Sequence, residues 1–492
     1  MKSASPQHNY LIFSDVHLGA DLVQHVRPWT VARLKQVARV DRDLCAMLDW
    51  YRERADPKHP WRLVIAGDLV DFIGMSIAPS PDTAPSLNDE ERVFGLGSSR
   101  DHAAIKMRAV AARHRPVFER LAAFLHDGHS IALVRGNHDV DFYWDEAQEA
   151  FREAILDHLP PHCPSEERAD SVTRIRFFPW FYYEEGLLYV EHGHQFDAMC
   201  AYHHPLKPLS PLDPRRIGWS FADLLFRRVV RPTPGLGSEG HEHRSFVSYV
   251  RLALSLGLGG AFRLFVRYVS TTLLALRTWR SHLGARARAL REDHDLQFAV
   301  IAARSKVGID RLQALAALWR RPVTTGGWSV LRSMFMDRLL LLATVAILVP
   351  LLGVLIPIQF WLWVSGALLA VVLAYQGWSR RERKRDLDPA IHMHLAAHHI
   401  GRILDARYVL MGHTHTAMAS RVGDCTTYVN LGNWGTDEVD EDHDEPTRTH
   451  FVVRWELDRP RATFLRWDPK AGSPRPGPTL PPEPGDIATK RM

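Results

Sequence analysis

Residues 131–140 read IALVRGNHDV, an apolar run that changes abruptly into the polar segment Gly136-Asn137-His138-Asp139. A short apolar run of this kind, bounded by turn residues, is typical of a buried strand, and the polar residues then lie in the loop at its end. The same change recurs at four other places, which are Asp15-Val16-His17, Gly67-Asp68, His192-Gly193-His194 and Gly412-His413-Thr414-His415. Open α/β sheets form their active sites at such strand ends, so we predict that the five motifs share one site.

The residue types of the five motifs are those of a site for two divalent metal ions. Two cations about 4 Å apart repel each other, so a carboxylate has to lie between them, and neutral imidazole and amide ligands complete each shell. We assign this bridge to Asp68. Asp15, His17 and one histidine of the last motif would hold the first metal. Asn137, His192 and the other histidine of that motif would hold the second.

His138 and Asp139 are the predicted catalytic residues. A binuclear centre acidifies a water molecule for attack on phosphorus and neutralises charge on the phosphoryl oxygens. His138 follows a predicted ligand directly and has no metal role left, so we expect it to protonate the leaving oxygen or to stabilise the transition state. Any one such motif alone is weak evidence in a chain with 27 histidines, and Asp-x-His or Gly-Asp alone is more often structural than functional. The functional interpretation depends on five motifs in this order.

At these residues the chain resembles the calcineurin-like metallophosphoesterase superfamily, whose pattern is Asp-x-His, Gly-Asp, Gly-Asn-His-Asp/Glu, a later His and Gly-His-x-His. The resemblance covers about residues 8–200 and 390–468. It implies a four-layer α/β/β/α fold and a binuclear centre, with Mn as our first assignment and Fe or Zn as alternatives. It also implies that His413 binds the second metal and His415 the first. UDP-2,3-diacylglucosamine pyrophosphatases are similar in motif order and peripheral location, but they carry arginine where His138 stands.

A second feature of the sequence is the run Leu339–Trp378, which contains no charged residue. As a single helix it would be about 60 Å long, roughly twice the hydrocarbon core of a membrane. Pro357 offers a turn, so we predict a transmembrane hairpin at 337–379 with helices near 339–356 and 360–378. Four of the metal motifs precede this apolar run and one follows it. If they share one site, the chain has to return to the side of the membrane from which it started.

Basic residues on both flanks orient this hairpin. Arg332 and Arg338 precede it and residues 380–385, RRERKR, follow it, which predicts that both ends and the catalytic domain lie on the cytoplasmic side of the inner membrane. The alternative is a buried hydrophobic hairpin in a soluble protein. Trp361 and Trp378 favour the membrane, because aromatic residues concentrate at its boundaries.

Residues 201–336 are a predicted helical insertion of basic character. From Arg244 to Arg338 there are sixteen Lys and Arg but five Asp and Glu, whereas the whole chain has a net charge of +5. If residues 250–280 were helical, one side would carry Arg251, Arg263, Arg267, Arg277 and Arg280. An interfacial helix on anionic lipid has this pattern. The alternative is a helix packed on its own domain with a solvated basic face, and the glycines near 257–260 favour two shorter helices.

The remaining composition is consistent with a cytoplasmic location. Four scattered cysteines without metal or redox spacing indicate a reducing compartment, and the N-terminus leaves no room for a cleavable signal sequence. Residues 469–492 are rich in Pro and Gly, so we expect a disordered tail.

These observations predict a membrane-anchored hydrolase of phosphoester or pyrophosphate bonds. The expected partners are a phosphorylated substrate, with a lipid-linked molecule as one option, and anionic lipid. Two alternatives stay open, a nucleic-acid or nucleotide phosphodiesterase and a non-catalytic metal-binding membrane module. We expect no nucleic-acid partner, because the basic residues alternate with Leu, Val and Phe beside a membrane segment.

Overall fold

Two β-sheets form the centre of the protein, and helices cover the outer face of each. The computed structural model describes residues 7–23, 31–81, 83, 87–233, 251–252, 254–435 and 446–482. Apolar side chains of both sheets meet in a central core, and a further core lies between each sheet and its helices. The four-layer α/β/β/α fold predicted from the sequence is therefore confirmed.

The described part of the chain contains twelve strands. They are β1 Asn9–Phe13, β2 Trp61–Ala66, β3 Ser130–Val134, β4 Ile175–Phe178, β5 Phe181–Glu184, β6 Leu188–Glu191, β7 Tyr408–Met411, β8 Met418–Arg421, β9 Thr427–Asn430, β10 Thr449–Glu456, β11 Arg459–Asp468 and β12 Ser473–Pro476. The first sheet has the order β12-β11-β10-β1-β2-β3-β4, with β1 to β4 parallel, and the second has the order β5-β6-β7-β9-β8. Strands β6, β7 and β9 are parallel.

Helices form the outer layers and the insertion. They are α1 Val31–Glu53, α2 Asp89–Phe94, α3 Arg100–Arg113, α4 Arg115–His126, α5 Asp145–Leu156, α6 Ser165–Arg174, α7 Phe221–Leu225, α8 Gly257–Ser281, α9 Ala285–Ser305, α10 Ile309–Ala316, α11 Gly327–Ser333, α12 Met336–Leu355, α13 Trp361–Leu387 and α14 Pro389–Leu404. A π-helix, Phe226–Val230, extends α7. Helices α1, α3, α4 and α5 cover the first sheet, while α9, α10 and α14 cover the second.

The segment 175–184 forms two strands in different sheets. It breaks at Pro179 and Trp180, where proline lacks the amide hydrogen that a continuous ladder would need. Strand β4 stays in the first sheet and β5 crosses to the second, where it pairs with β6 in an antiparallel β-hairpin. This crossover joins the two sheets at one edge.

Residues 473–476 correct the prediction of a disordered tail. They form β12, which pairs with β11 at the edge of the first sheet, where Pro474 and Pro476 are tolerated because an edge strand needs fewer hydrogen bonds. Residues 483–492 of the predicted tail lie outside the described residues.

Helix α8 begins where the glycines predicted a break. Gly257 has a φ of 68°, a left-handed conformation that separates α8 from the turn before it. Gly259 and Gly260 lie within the first turn of α8 and do not interrupt it, so a single helix continues to Ser281.

The predicted hairpin is resolved into α12 and α13, separated at Pro357. Trp361–Ser379 is the only described helix segment that alone is long and apolar enough to cross a membrane. Helix α12 satisfies that criterion only when its Met336–Leu352 portion is taken with α11, from which it is bent by 83°. Both crossings and the topology therefore stay predictions.

Candidate metal centre

All five motifs lie in loops that follow parallel strands. Asp15 and His17 follow β1, Asp68 follows β2, and Asn137 follows β3, so the first sheet presents them along one edge. The second sheet presents His192 after β6 and the pair His413 and His415 after β7. Packing of the two sheets brings the seven predicted metal ligands to one end of the sandwich.

A first group of ligand atoms comprises Asp15, His17 and His415. Atoms of these three side chains lie within 4.8 Å of one another. Nε2 of His415 is 3.2 Å from Oδ1 of Asp15, and Nε2 of His17 is 3.8 Å from the same oxygen. These are the three residues assigned to the first metal.

A second group surrounds His192. Its Nε2 lies 3.0 Å from Oδ2 of Asp68 and 3.0 Å from Oδ1 of Asn137. Its Nδ1 lies 2.9 Å from the carbonyl oxygen of Ala66, so Nδ1 carries the hydrogen. Nε2 of the neutral ring then faces two oxygen acceptors, an arrangement that requires either a proton or a cation.

The carboxylates of Asp15 and Asp68 join the two groups. Asp15, Asp68 and His192 also lie within 4.8 Å of one another, and all three are buried. Burial disfavours protonation of His192, but Asp68 and Asp15 raise the pKa of its imidazole to about 9. The buried carboxylates thus attract positive charge, and divalent ions would supply it. The donor set of carboxylate, imidazole and amide oxygen fits Mn, Fe or Zn.

His413 is held at the margin of the second group. Its ring centroid is 5.3 Å from that of His192, and its amide donates to both carboxylate oxygens of Asp15 at 3.2 and 3.3 Å. Nε2 lies 3.0 Å from Oδ2 of Asp197, so Nδ1 is the ring atom on the opposite side. Carboxylates commonly orient metal-binding histidines in this way. Our sequence analysis missed Asp197, because its contact with His413 spans 216 residues of the chain.

His138 is positioned by Asp71, which the sequence analysis also missed. Nδ1 of His138 lies 2.7 Å from Oδ1 of Asp71, and the His138 ring meets the ring of His17 edge-on at 4.7 Å. Burial opposes ionisation of Asp71, but His138 lowers the pKa of that carboxyl. The one available signal was a second acidic residue, three positions after Asp68 in the same loop.

Asp139 connects two of the ligand loops. Its carboxylate accepts hydrogen bonds from the amides of Gly136 at 2.6 Å and Leu69 at 2.9 Å. Burial and the neighbouring charge of Asp68 raise the pKa of Asp139 to about 7. The catalytic role assigned to Asp139 stays a prediction, and these contacts favour a positioning role.

Backbone strain concentrates at this site. Eleven non-glycine residues in the described part of the chain have positive φ, and five of them are predicted ligands, namely Asp15, His17, Asp68, His413 and His415, with φ between 54° and 69°. Side chains rarely tolerate this conformation, and such residues persist where the surrounding structure holds them for a function. Glycine is required at 136 and 412, because a Cβ would come within 2.1 Å of Asp68 and 2.3 Å of Asp15, respectively.

The insertion forms one wall of the site. The Phe226 ring in the π-helix lies 6.3 Å from that of His138. The hydroxyl of Tyr202 donates to Oδ2 of Asp223 at 3.0 Å and lies 3.4 Å from the carbonyl oxygen of Asn137. None of Tyr202, Asp223 and Phe226 belongs to a motif, so sequence patterns did not reveal them.

Comparison of the sequence with protein-family models identifies a match. A family model described as calcineurin-like phosphoesterase matches residues 8–245. The match includes four of the five motifs and extends past the predicted boundary at residue 200 into the insertion. No curated protein matches the sequence significantly.

Proposed function

The chain belongs to the calcineurin-like metallophosphoesterase superfamily, and from this we propose that it is a membrane-anchored, binuclear-metal hydrolase of phosphoester or pyrophosphate bonds. The observation that carries the proposal is the pair of ligand groups joined by Asp15 and Asp68. A structural metal site has closed coordination and no need of a histidine beside it, whereas here His138 adjoins the ligands.

The ligand groups would hold two divalent ions, which supply an acidified water as nucleophile and neutralise charge on the phosphoryl oxygens. Asp15, His17 and His415 would hold the first ion. The second would be held by Asn137, His192 and His413. Asp68 would lie between them. Ala66 and Asp197 fix the ring orientations of His192 and His413, so the ligand atoms need little rearrangement when ions bind.

His138 would act on the leaving group. Asp71 holds Nδ1, so Nε2 is the ring atom that we assign to donating a proton or a hydrogen bond to the leaving oxygen. Phe226 and Tyr202 from the insertion border this side of the site and would limit the access of water to it.

Two surfaces support membrane attachment. Only 6% of the apolar segment Trp361–Ser379 is buried in the protein, unlike the core helix of a soluble domain. On α8, Leu264 and Ala275 pack against the protein beside the π-helix, while Leu258 and Phe262 on the opposite side are 94% and 68% exposed. An interfacial helix presents such an unpacked apolar side to lipid.

The arginines of α8 lie beside this apolar surface rather than forming a separate basic face. Arg263, Arg277 and Arg280 are exposed, and Arg251 is exposed before the helix begins. Arg267 instead donates to the carbonyl oxygen of Pro232 at 2.7 Å. We therefore retain four of the five predicted lipid-facing arginines in the proposal. The π-helix contacts both α8 and His138. This contact supports the proposal that the site is near the membrane surface and acts on a lipid-linked substrate.

Hydrolysis assays test the proposed reaction. The full chain in detergent with Mn²⁺ should hydrolyse an aryl phosphomonoester or a bis-aryl phosphodiester, and EDTA should abolish that activity because the ligand groups require cations. A membrane lipid extract, monitored by ³¹P NMR, would show whether lipid phosphates are substrates. Activity that survives EDTA would contradict the proposal. So would a protein with two bound metal ions that hydrolyses neither the monoester, nor the diester, nor the lipid extract.

Cysteine labelling tests the hairpin. In a variant lacking Cys45, Cys163, Cys200 and Cys425, we expect a cysteine at Gln359 to react with an impermeant maleimide in intact cells, because two crossings place this turn outside. Cysteines at the exposed flank positions Ser329 and Ala390 should react only after lysis. Labelling of one flank before lysis would mean a single crossing, and the second sheet could not then complete the metal site.

A further inference from the structure

A large cleft lies outside the metal centre. Its volume is about 830 Å³, and its walls come from β4, β5, α5, α9 and the start of α10. None of the predicted metal ligands or catalytic residues lines it. Arg135 does line it, but its guanidinium is already committed to the carbonyl oxygens of Pro179 and Pro205.

The rim of this cleft carries cations without carboxylate partners. They are Arg152, Arg176, Arg304, Lys306, Arg311 and Arg62, of which Arg62 already bonds the side chains of Ser130, Tyr182 and His8. Within the described ranges none of the six forms an ion pair with a carboxylate, although Arg113 and Arg216 elsewhere pair with Asp21 and Glu91 at 2.7 Å each. Three acidic residues also line the cleft. One of them, Glu184, already accepts the hydroxyl hydrogens of Tyr10 and Tyr182. The rim therefore has an excess of positive charge.

The wall of the cleft is aromatic. It includes Tyr143, Phe177, Phe178, Trp180 and Tyr183. The Phe177 and Phe178 rings are only half-buried, and the guanidinium of Arg152 lies 4.9 Å from the Phe177 ring centroid. Half-buried aromatic rings at a cleft wall beside guanidinium groups can stack a planar ring, while guanidinium groups bind phosphate through paired hydrogen bonds.

We propose that this cleft binds a nucleotide-type ligand, with its phosphates on the basic rim and its planar base on the aromatic wall. The volume is within the range of small-molecule sites. The binding site is separate from the metal centre, so the proposal stands independently of the hydrolytic function. Since Arg135 lines the cleft and directly precedes Gly136 and Asn137, the ligand would bind next to one of the metal-site loops.

Calorimetry on the full chain in detergent with EDTA tests this site, because chelation removes cation-mediated phosphate binding at the metal centre. We expect saturable binding of ATP at least tenfold tighter than binding of inorganic pyrophosphate, since only ATP reaches the aromatic wall. The double variant Arg176→Ala, Arg304→Ala should weaken ATP binding at least tenfold. Both side chains are exposed, so the fold should be retained.

A matched double variant, Arg402→Ala with Arg459→Ala, removes two exposed arginines elsewhere and should bind ATP as the wild type does. Asp68→Asn should also bind ATP normally, which separates this proposal from that of hydrolysis. The nucleotide assignment would be overturned if ATP did not bind, or if it bound no more tightly than pyrophosphate. It would also be overturned if the matched control lost as much ATP affinity as the rim variant, or if the cleft preferred a short-chain phosphatidic acid.

Discussion

Asp68→Asn is expected to abolish hydrolysis and to reduce the bound metal from two ions per chain to one or none. The Asp68 carboxylate lies 3.0 Å from His192 and within 4.8 Å of an Asp15 oxygen, so it is placed between the two ligand groups. Without its charge, two cations about 4 Å apart would repel each other with less compensation. Elemental analysis of the dialysed protein measures this effect together with the activity.

The asparagine should leave the fold intact. Oδ1 of Asp68 accepts the amide hydrogen of His138 at 2.8 Å, and an asparagine oxygen can accept the same bond. Asp127→Asn, a substitution at an exposed surface carboxylate, is the matched control and should retain two ions and full turnover. Two ions in Asp68→Asn would rule out Asp68 as the bridge.

His138→Ala is expected to lower turnover by about a hundredfold or more while the protein keeps two metal ions. This is the usual scale for the loss of a general acid. His138 contacts Asp71 and the His17 ring, but it is not among the residues assigned to either ion. Metal analysis and steady-state kinetics on the same preparation separate catalysis from metal binding.

His162→Ala removes an exposed histidine outside both ligand groups and should change neither quantity. Asp71→Asn should lower turnover less than His138→Ala, because the ring remains but loses the carboxylate that orients it. If His138→Ala emptied the site of metal, His138 would be a ligand rather than a catalytic residue.

The central strands and their loops could be predicted from the sequence because local pattern decides them. Residues 131–134 are apolar and the next five are mostly polar, so strand and loop are visible without tertiary information. The seven predicted ligands then follow from residue type and order. Packing of the two sheets brings His192 and His415 to the predicted ligands of the first sheet. This packing is consistent with the family resemblance, but no single segment of the sequence predicts it.

The supporting residues could not be predicted, since long-range contacts determine their roles. Asp197 reaches His413 from 216 residues away, and Phe226 reaches His138 from a helix without a motif. Positive φ at Asp15 or His17 leaves no sequence signal, because neither residue is a glycine. Strand β12 was missed because its prolines are typical of irregular chain and are tolerated only at a sheet edge.

Composition predicts the membrane segment, but it does not show which side of a helix packs against the protein. Packing shows that Leu258 and Phe262 of α8 face away from the protein, whereas Leu264 faces inward. Packing also shows that Arg267, one of the predicted lipid-facing arginines, donates instead to the carbonyl oxygen of Pro232. The helical pattern alone does not show which of these leucines and arginines pack against the protein and which face away from it.

Electron paramagnetic resonance of the Mn²⁺-loaded protein tests the central claim most directly, namely that the two ligand groups hold adjacent metal ions joined by Asp68. Two Mn²⁺ ions about 4 Å apart should couple magnetically, so the wild type should give a spin-coupled spectrum at two ions per chain. Asp68→Asn should lose that signal. A spectrum of isolated Mn²⁺ in the fully loaded wild type would contradict a binuclear centre.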